Sequence, residues 1–187
     1  MSTFSYVKLF VKDKYIASVT PTSEFGVRHV CGKIDFRRSR VIVEFGPGTG
    51  VFTRHLLSRM TADSRVILIE RNPDFAGMLA KRFPDPRVTI RNACASNVLT
   101  TLEECGIRSA DTILSGIPFS FLSYETRVGI VKNSHSALRE DGRFLAYQTF
   151  YQSNNHLKEP LESVFRSVRV EYEMLNLPPM RIYEAVK

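Results

Sequence analysis

The stretch VIVEFGPGTG, from Val41 to Gly50, runs a strand-forming segment directly into a loop with three alternate glycines. Glycine adopts backbone dihedrals that other residues avoid and allows a ligand to approach the main chain closely, so this loop is a candidate binding site. Its G-x-G-x-G spacing differs from the G-x-G-x-x-G of dinucleotide binding and from the GxxxxGK[ST] of a phosphate loop. No lysine follows the loop, and an NTPase is therefore not expected.

From Val41 onward, short β-rich segments alternate with longer segments of helical periodicity. The strands predicted in this part are Val41–Phe45, Val66–Glu70, Val88–Arg91, Thr112–Ser115 and Arg143–Thr149. The helices predicted between them are Gly50–Met60, Pro73–Phe83, Asn97–Cys105 and Leu122–Leu138. This alternation predicts a parallel sheet that is covered on both faces by right-handed crossover helices.

The C-terminal part breaks the alternation, because the predicted strands Ser167–Met174 and Met180–Val186 are separated only by LNLPP. That connection is too short for a crossover helix, so the two strands are expected to pair as an antiparallel hairpin at one edge of the sheet. The predicted fold class is therefore α/β: a Rossmann-like, doubly wound sheet of seven strands, mostly parallel, with a C-terminal antiparallel hairpin. We expect one domain over 1–187, with this core at 41–187.

The N-terminal region, 1–40, has a different character. Its apolar stripe is Phe4, Val7, Phe10 and Val11, with Lys8, Lys12 and Lys14 around it. Thr22 or Ser23 can cap a second helix that ends near Cys31. The stripe fits either an interfacial membrane helix or a lid over the ligand pocket or the sheet, and the sequence leaves both alternatives open.

The composition indicates which kinds of partner and which compartment suit this chain. The 187 residues carry a formal charge of +7 and a pI near 9.5, which favours an anionic partner such as RNA, an acidic membrane surface or a phosphorylated metabolite. A generally basic soluble protein is the plain alternative. Cys31, Cys94 and Cys105 have no CxxC spacing and indicate reduced, buried thiols in a cytoplasmic protein, with neither a disulfide framework nor a zinc site. No apolar run approaches the about 18 residues of a membrane span, so any membrane contact is expected to be peripheral, at the inner membrane surface.

Ligands of an open parallel sheet bind beyond the carboxyl ends of its strands, and the first two predicted strand ends carry suitable residues. After the first strand, Gly46, Gly48 and Gly50 form the loop, and Glu44 places a carboxylate where a bound cation or ammonium would be favourable. Glu70 ends the second strand, where a carboxylate can accept hydrogen bonds from both hydroxyls of a ribose. A nucleoside with a positive group and no phosphates fits these features, and S-adenosylmethionine is such a molecule.

The third and fourth predicted strand ends agree with this cofactor. Asn92 follows the third strand, and its amide can bond the edge of the adenine. The fourth strand runs into SGIPFSF, in which Ser115 lies on the cofactor side. Gly116, Pro118 and Phe119 are predicted to form a rigid turn with an aromatic face toward the position of methyl transfer.

Four segments carry a resemblance to a known family: EFGPGTGVFTRHLL, IERNPDFAGMLAKRFPD, SGIPFSFLS and NLPPMRIYE. They resemble the class I S-adenosylmethionine-dependent methyltransferases, and more closely the bacterial phospholipid N-methyltransferase branch, which methylates phosphatidylethanolamine. The similarity runs from about Val19 to the C-terminus. The glycine loop is shared by all class I enzymes, whereas the SG[LI]P turn and the NLPP-x-R-[IV]-Y ending are more specific. The family usually has an acidic residue where this chain has Asn92.

The ribosomal RNA adenine dimethyltransferases are the nearest competing branch, since they share the glycine loop. In the RNA enzymes an asparagine holds the target adenine at the position of Gly116, which has no side chain. They also usually carry a C-terminal helical RNA-binding domain, which this sequence does not show. The resemblance therefore implies an enzyme that methylates an amine such as a phospholipid headgroup. A nucleic-acid methyltransferase, an enzyme for another small amine and a binder without catalysis are the alternatives.

An amine acceptor must be neutral when it attacks, although its free pKa is near ~10, and desolvation beside Pro118 and Phe119 would lower that pKa. The rings of Phe119, Phe121 and Tyr124 are candidates to stabilise the methylated cation, with core packing as the alternative. His29 and His135 are single histidines, and neither is assigned a catalytic role.

Overall fold

One seven-stranded sheet organises the part of the chain that a computed structural model describes, residues 22–150, 152–153 and 155–187. The strands are β1 (Val41–Phe45), β2 (Arg65–Glu70), β3 (Val88–Asn92), β4 (Ala110–Ser115), β5 (Leu138–Thr149), β6 (Ser167–Glu173) and β7 (Met180–Val186). The helices are α1 (Glu24–Cys31), α2 (Val51–Arg59), α3 (Pro73–Arg82), α4 (Val98–Glu104), α5 (Tyr124–Ala137) and α6 (Asn155–Glu162). Two short 3₁₀ turns cover Ala95–Asn97 and Phe119–Phe121.

The strand order is β3-β2-β1-β4-β5-β7-β6. Strands β1 to β5 are parallel, and β7 inserts antiparallel between β5 and β6. The predicted Rossmann-like sheet with its antiparallel hairpin is therefore confirmed. The chain leaves β1 toward β2 and β3 on one side and returns to β4 and β5 on the other. The carboxyl ends of β1 and β4, which pair at Phe45 and Ser115, form the switch point where ligands bind in such sheets.

Helices cover both faces of the sheet, and successive strand residues contribute to opposite faces. On one face, Val43 and Phe45 of β1 belong to a core with α4, α5 and α6. On the other face, Ile42 of β1 packs in a second core with α1, α2 and α3. Burial of apolar surface on both faces holds the strand ends in fixed positions relative to one another.

Helix starts follow the expected capping chemistry. The Ser23 hydroxyl accepts a hydrogen bond from the backbone of Gly26 at 3.2 Å, which confirms the predicted cap of the helix that ends at Cys31. Pro73 opens α3, and the side chain of Asn72 caps that helix.

Two elements differ from the expectation. Strand β5 begins at Leu138 instead of Arg143, because its pairing with β4 shifts register between Ala110 and Thr112. Helix α6 was not predicted; it contains Pro160, a residue that disfavours a helix interior.

The first described helix is joined to the β6–β7 loop. The backbone N–H of Ser23 donates to Asn176 Oδ1 at 2.7 Å, and Asn176 Nδ2 donates to the Pro178 carbonyl at 2.7 Å. The first residue of the NLPP segment therefore ties α1 to the C-terminal hairpin.

The predicted N-terminal apolar stripe lies outside the described residues. Within residues 22–150, 152–153 and 155–187, no helix is long and apolar enough to cross a membrane.

Candidate active site

A cavity of about 460 Å³ opens at the carboxyl ends of the parallel strands. Each of the five parallel strands ends at a residue of its wall or just before one: Gly46, Glu70, Ala93, Gly116 and Thr149. The wall is completed by Thr22 beside α1 and by Asn176 and Met180 of the C-terminal hairpin. The cavity therefore occupies the position that the sequence predicted, and it extends further toward β5 and β7.

The glycine loop has the left-handed backbone that its composition suggests, with φ of 63° at Gly46, 54° at Gly48 and 77° at Gly50. A Cβ at Gly50 would lie 2.3 Å from the Phe83 ring, so this position excludes a side chain by space as well as by conformation. A Cβ at Gly48 would meet nothing within 4 Å. The Gly48 side of the loop is therefore open, as a ligand cradle requires.

Glu70 is a cavity residue with only 7% of its surface exposed. Its Oε2 accepts a hydrogen bond from the Gly48 N–H at 3.1 Å, and its Oε1 accepts one from the Asn72 N–H at 2.9 Å. These bonds couple the carboxylate to the glycine loop and fix its orientation. A carboxylate accepts hydrogen bonds only, which is the chemistry that ribose hydroxyls require of a partner.

Glu44 is buried, 2% exposed, and is not among the residues that line the cavity. The Thr53 hydroxyl donates to its Oε2 at 2.7 Å. Burial raises the pKa of Glu44 to about 7; the bond from Thr53 lowers it and the nearby Glu70 charge raises it further. The predicted contact with a bound ammonium is therefore not direct, and any influence of Glu44 on a ligand acts through its charge.

Asn92 lies at the end of β3 but is exposed and outside the cavity wall. Its Nδ2 donates to the carbonyls of Glu70 and Arg71, at 2.9 Å each. The amide thus fastens the turn after β2, which corrects the expectation that it faces the adenine. The wall after β3 is instead made by Ala93, Cys94 and Ala95.

Gly116 makes room for a hydroxyl that comes from another strand. A Cβ at Gly116 would lie 2.4 Å from Tyr147 Oη. The Tyr147 ring stacks on Phe52, with centroids 4.3 Å apart. The space beside Gly116 is therefore occupied by a phenol. Ser115, the residue before this glycine, is fully buried and does not line the cavity.

The turn after Gly116 presents a different aromatic ring from the one predicted. Pro118 lines the cavity, as expected, but Phe119 is fully buried in the core that includes α4, α5 and α6 and is not on the wall. Phe121 lines the cavity with 53% of its surface exposed. The prediction for Phe119 is wrong because the 3₁₀ turn directs its first residue inward and its third toward the cavity. Tyr124 lies outside the wall.

Sequence reasoning missed the wall formed by the end of β5 and the segment after it. Tyr147, Gln148, Thr149 and Gln152 all line the cavity. Arg181 holds this segment: its Nη1 donates to the Gln152 carbonyl at 2.7 Å and its Nη2 to the Phe150 carbonyl at 2.8 Å. The strand-end rule applied to β5 would have found this wall, and the NLPPMRIYE segment contains the arginine that supports it.

The histidines and cysteines have structural surroundings. His29 contacts Glu173 Oε2 at 2.7 Å and Glu171 Oε2 at 3.0 Å, which joins α1 to β6. His135 packs edge-on against Phe165, and burial lowers its pKa. All three cysteines are free, and Cys94 lines the cavity. In the part of the chain that the structure describes, no three His, Cys, Asp or Glu side chains group as metal ligands would.

Known proteins resemble the chain to different extents. Residues 22–101 match the family described as ribosomal RNA adenine dimethylase. Ornithine lipid N-methyltransferase from Singulisphaera acidiphila is 30% identical over 184 residues, covering 94% of this chain and 91% of that protein. Ribosomal RNA small subunit methyltransferase H from Acinetobacter baumannii is 31% identical over 87 residues, 45% of this chain and 28% of that protein. In fold, precorrin-6y C5,15-methyltransferase from Geobacter metallireducens GS-15 matches with a TM-score of 0.70 at 18% identity, covering 94% of this chain and 96% of that chain.

Proposed function

Because the chain belongs to the class I S-adenosylmethionine-dependent methyltransferases, we propose that it methylates the amine of a membrane-lipid headgroup. The observation that carries this proposal is the similarity to the ornithine lipid enzyme, which spans both the cofactor half and the acceptor half of the chain. The match to the RNA adenine family ends at residue 101, before the turn that contains Gly116. Phosphatidylethanolamine and ornithine lipid are the two candidate acceptors, since each offers an amine near an oxyanion.

The residues present suit the cofactor. The open side of Gly48 and the fixed carboxylate of Glu70 would hold the ribose and the methionine part, and residues 93–95 would flank the adenine. The chemistry that the cofactor supplies is an electrophilic methyl group: an amine nitrogen takes it in an in-line displacement, the sulfur keeps the bonding pair, and the nitrogen gives a proton to solvent. Positioning of this kind is worth ~7–11 kcal/mol in favourable intramolecular cases.

The acceptor half of the cavity favours a small amine over a nucleobase. Pro118 and Phe121 present an apolar edge, and a bound amine that is desolvated against it favours its neutral form. Tyr147 fills the space beside Gly116, where an RNA adenine enzyme would place its asparagine. In our proposal the Phe121 ring, not that of Phe119, faces the methylated cation.

An exposed apolar loop next to the cavity supports access from a membrane. Met174, Leu175 and Leu177 are exposed to 67%, 67% and 83%, and they flank Asn176, which lines the cavity. Exposed leucines that surround a binding cavity are typical of an interaction surface. The chain carries a net charge of +7, which favours contact with an anionic bilayer. In our proposal this loop touches the bilayer, and the lipid headgroup enters the cavity from there.

The proposal is tested by incubating the protein with methyl-labelled S-adenosylmethionine and three acceptors in parallel. These are vesicles with phosphatidylethanolamine, vesicles with ornithine lipid, and total RNA. We expect label in one or both lipids, and the lipid with the higher kcat/KM identifies the headgroup. Vesicles of phosphatidylcholine, which has no N–H, serve as the control. Absence of label from both amine lipids would refute the assignment.

RNA adenine methylation is the second candidate, and the family match over residues 22–101 together with the net positive charge favours it. If it is correct, label enters RNA, and RNA binding weakens strongly with added salt because phosphate contacts release counterions.

A further inference from the structure

Gln148 is a buried polar side chain on the cavity wall. It is 2% exposed, and neither its Oε1 nor its Nε2 has a hydrogen-bond partner among the residues that the structure describes. Leaving a buried polar group unpaired costs ~1–3 kcal/mol, and most buried polar groups are therefore paired. An unpaired amide on a cavity wall indicates that its partner is a ligand.

The position of Gln148 separates it from the cofactor residues. Strand β5 pairs Ala146 with Ser115 of β4, so Gln148 lies two residues beyond the paired end of β4. Strands β1 and β4 stand between β5 and the β2 end that carries Glu70. Three strand spacings of ~4.8 Å place the two residues roughly 14 Å apart, on opposite sides of the switch point. Gln148 therefore belongs to the acceptor half of the cavity.

Most of the neighbouring polar atoms already have partners within the protein, although Arg181 Nε has none among the described residues. Gln152 Oε1 accepts from the Ser120 hydroxyl at 2.9 Å, and Gln152 Nε2 donates to Thr149 Oγ1 at 3.2 Å. Arg181, which pairs with Gln148 across β5 and β7, is bonded to the carbonyls of 150 and 152. Among the described residues with buried, unpartnered side-chain atoms, Gln148 is the one that lines the cavity.

We propose that Gln148 binds the methyl acceptor and selects a neutral amine with a nearby oxygen group. Its Oε1 accepts a hydrogen bond from the amine N–H, and its Nε2 donates to a phosphate or carboxylate oxygen of the same headgroup. An uncharged amide suits this role because a carboxylate here would stabilise the ammonium, which cannot attack. This inference rests on the proposed amine methylation and names the residue that recognises the amine.

Gln148→Met tests the inference, since it keeps the shape of the side chain and removes both polar atoms. We expect kcat/KM for the amine lipid to fall about 10- to 100-fold, the loss of one or two ligand hydrogen bonds. The affinity for S-adenosylhomocysteine should stay within about twofold, and the melting temperature should be unchanged or higher because no bond within the protein is lost. Gln152→Met is the matched contrast and should lower the melting temperature, because it breaks the bonds to Ser120 and Thr149.

A second variant reports on the protonation state of the amine. Gln148→Glu should move the pH of half-maximal kcat upward by about one unit, because kcat follows the pKa of the bound amine and the added charge favours the ammonium. Parallel assays with phosphatidylethanolamine and ornithine lipid separate a phosphate from a carboxylate as the oxygen group. Unchanged kcat/KM in Gln148→Met overturns the inference and leaves the proposed function standing. No transfer to either lipid by the native protein overturns both.

Discussion

Gly50 is the position in the glycine loop where any side chain is excluded most strictly. Its φ is 77°, and the Phe83 ring occupies the space of a Cβ. Gly48 has a φ of 54° but an open side. The two glycines therefore have separate reasons to be glycine, packing against α3 for the first and approach of a ligand for the second.

Gly50→Ala and Gly48→Ala should differ in stability. Left-handed backbone costs roughly 1–2 kcal/mol for alanine at either position, and overpacking against Phe83 adds about 1–3 kcal/mol at Gly50 alone. Urea denaturation of both variants measures the two losses. Equal losses would contradict the assigned role of Phe83.

Glu44 is expected to make stability depend on pH. Its pKa in the folded protein is about 7, raised by burial from an ordinary value of 4.5. A raised pKa means that the folded state holds its proton more tightly, so this contribution is complete below about pH 4.5 and is lost as the pH rises through 7. The folding equilibrium constant should fall by up to roughly tenfold per pH unit in this window.

Glu44→Gln removes the titrating group and keeps an oxygen that accepts from the Thr53 hydroxyl. The free energy of unfolding of this variant should vary less between pH 4.5 and 7 than that of the native protein. Guanidinium denaturation at several pH values measures both curves. Parallel curves would show that Glu44 does not titrate in this window.

At the scale of elements, the β6–β7 loop has two kinds of residue with different tasks. Asn176 faces inward, where it ties α1 to the loop and lines the cavity. Leu175 and Leu177 on either side of it are exposed to 67% and 83%. The alternation predicts that one face of the loop stabilises the fold and the other contacts a partner.

The double variant Leu175→Ser, Leu177→Ser should bind anionic vesicles about tenfold more weakly. A leucine that leaves water completely contributes ~1.5–3 kcal/mol, and the expected loss is smaller because side chains at a membrane surface leave water only in part. Co-sedimentation with vesicles measures the effect. Its affinity for S-adenosylhomocysteine should not change. Leu99→Ser on α4, where the side chain is 43% exposed, is the matched control. Equal vesicle binding by the double variant and the control would refute membrane contact through this loop.

At the scale of the whole molecule, the cavity is built from elements distant in the chain, so ligand binding should stabilise the entire fold. S-adenosylhomocysteine at 100 times its Kd should add about 2.7 kcal/mol, a rise in Tm of roughly 5–10 °C for a domain of this size. Glu70→Ala should show a much smaller rise at the same concentration, because the predicted ribose contact is lost.

Glu104→Ala provides the control for that measurement, since the Glu104 side chain is 61% exposed on α4 and is not a cavity residue. Its rise in Tm should equal that of the native protein. An equal rise in Glu70→Ala would mean that Glu70 serves the glycine loop, through Gly48, and not the ligand.

The sequence by itself determined the sheet, the hairpin, the glycine loop and the position of Glu70. These features follow from periodicity and turn chemistry, which act between residues close in the chain, and from the rule that parallel strands bring their carboxyl ends together. Only the tertiary structure decided which side chains face the cavity. Phe119 turned inward and Phe121 outward in a 3₁₀ turn, where no period of two or 3.6 applies.

The tertiary structure also decided which hydrogen-bond partners the polar side chains near the site have. The Asn92 amide is held by carbonyls after β2, and the Tyr147 hydroxyl fills the space beside Gly116. Among the described residues Gln148 has no partner, while its neighbours on β7 and in the segment after β5 bond to one another. Whether a polar side chain is satisfied depends on groups far away in the sequence, and only packing brings them together.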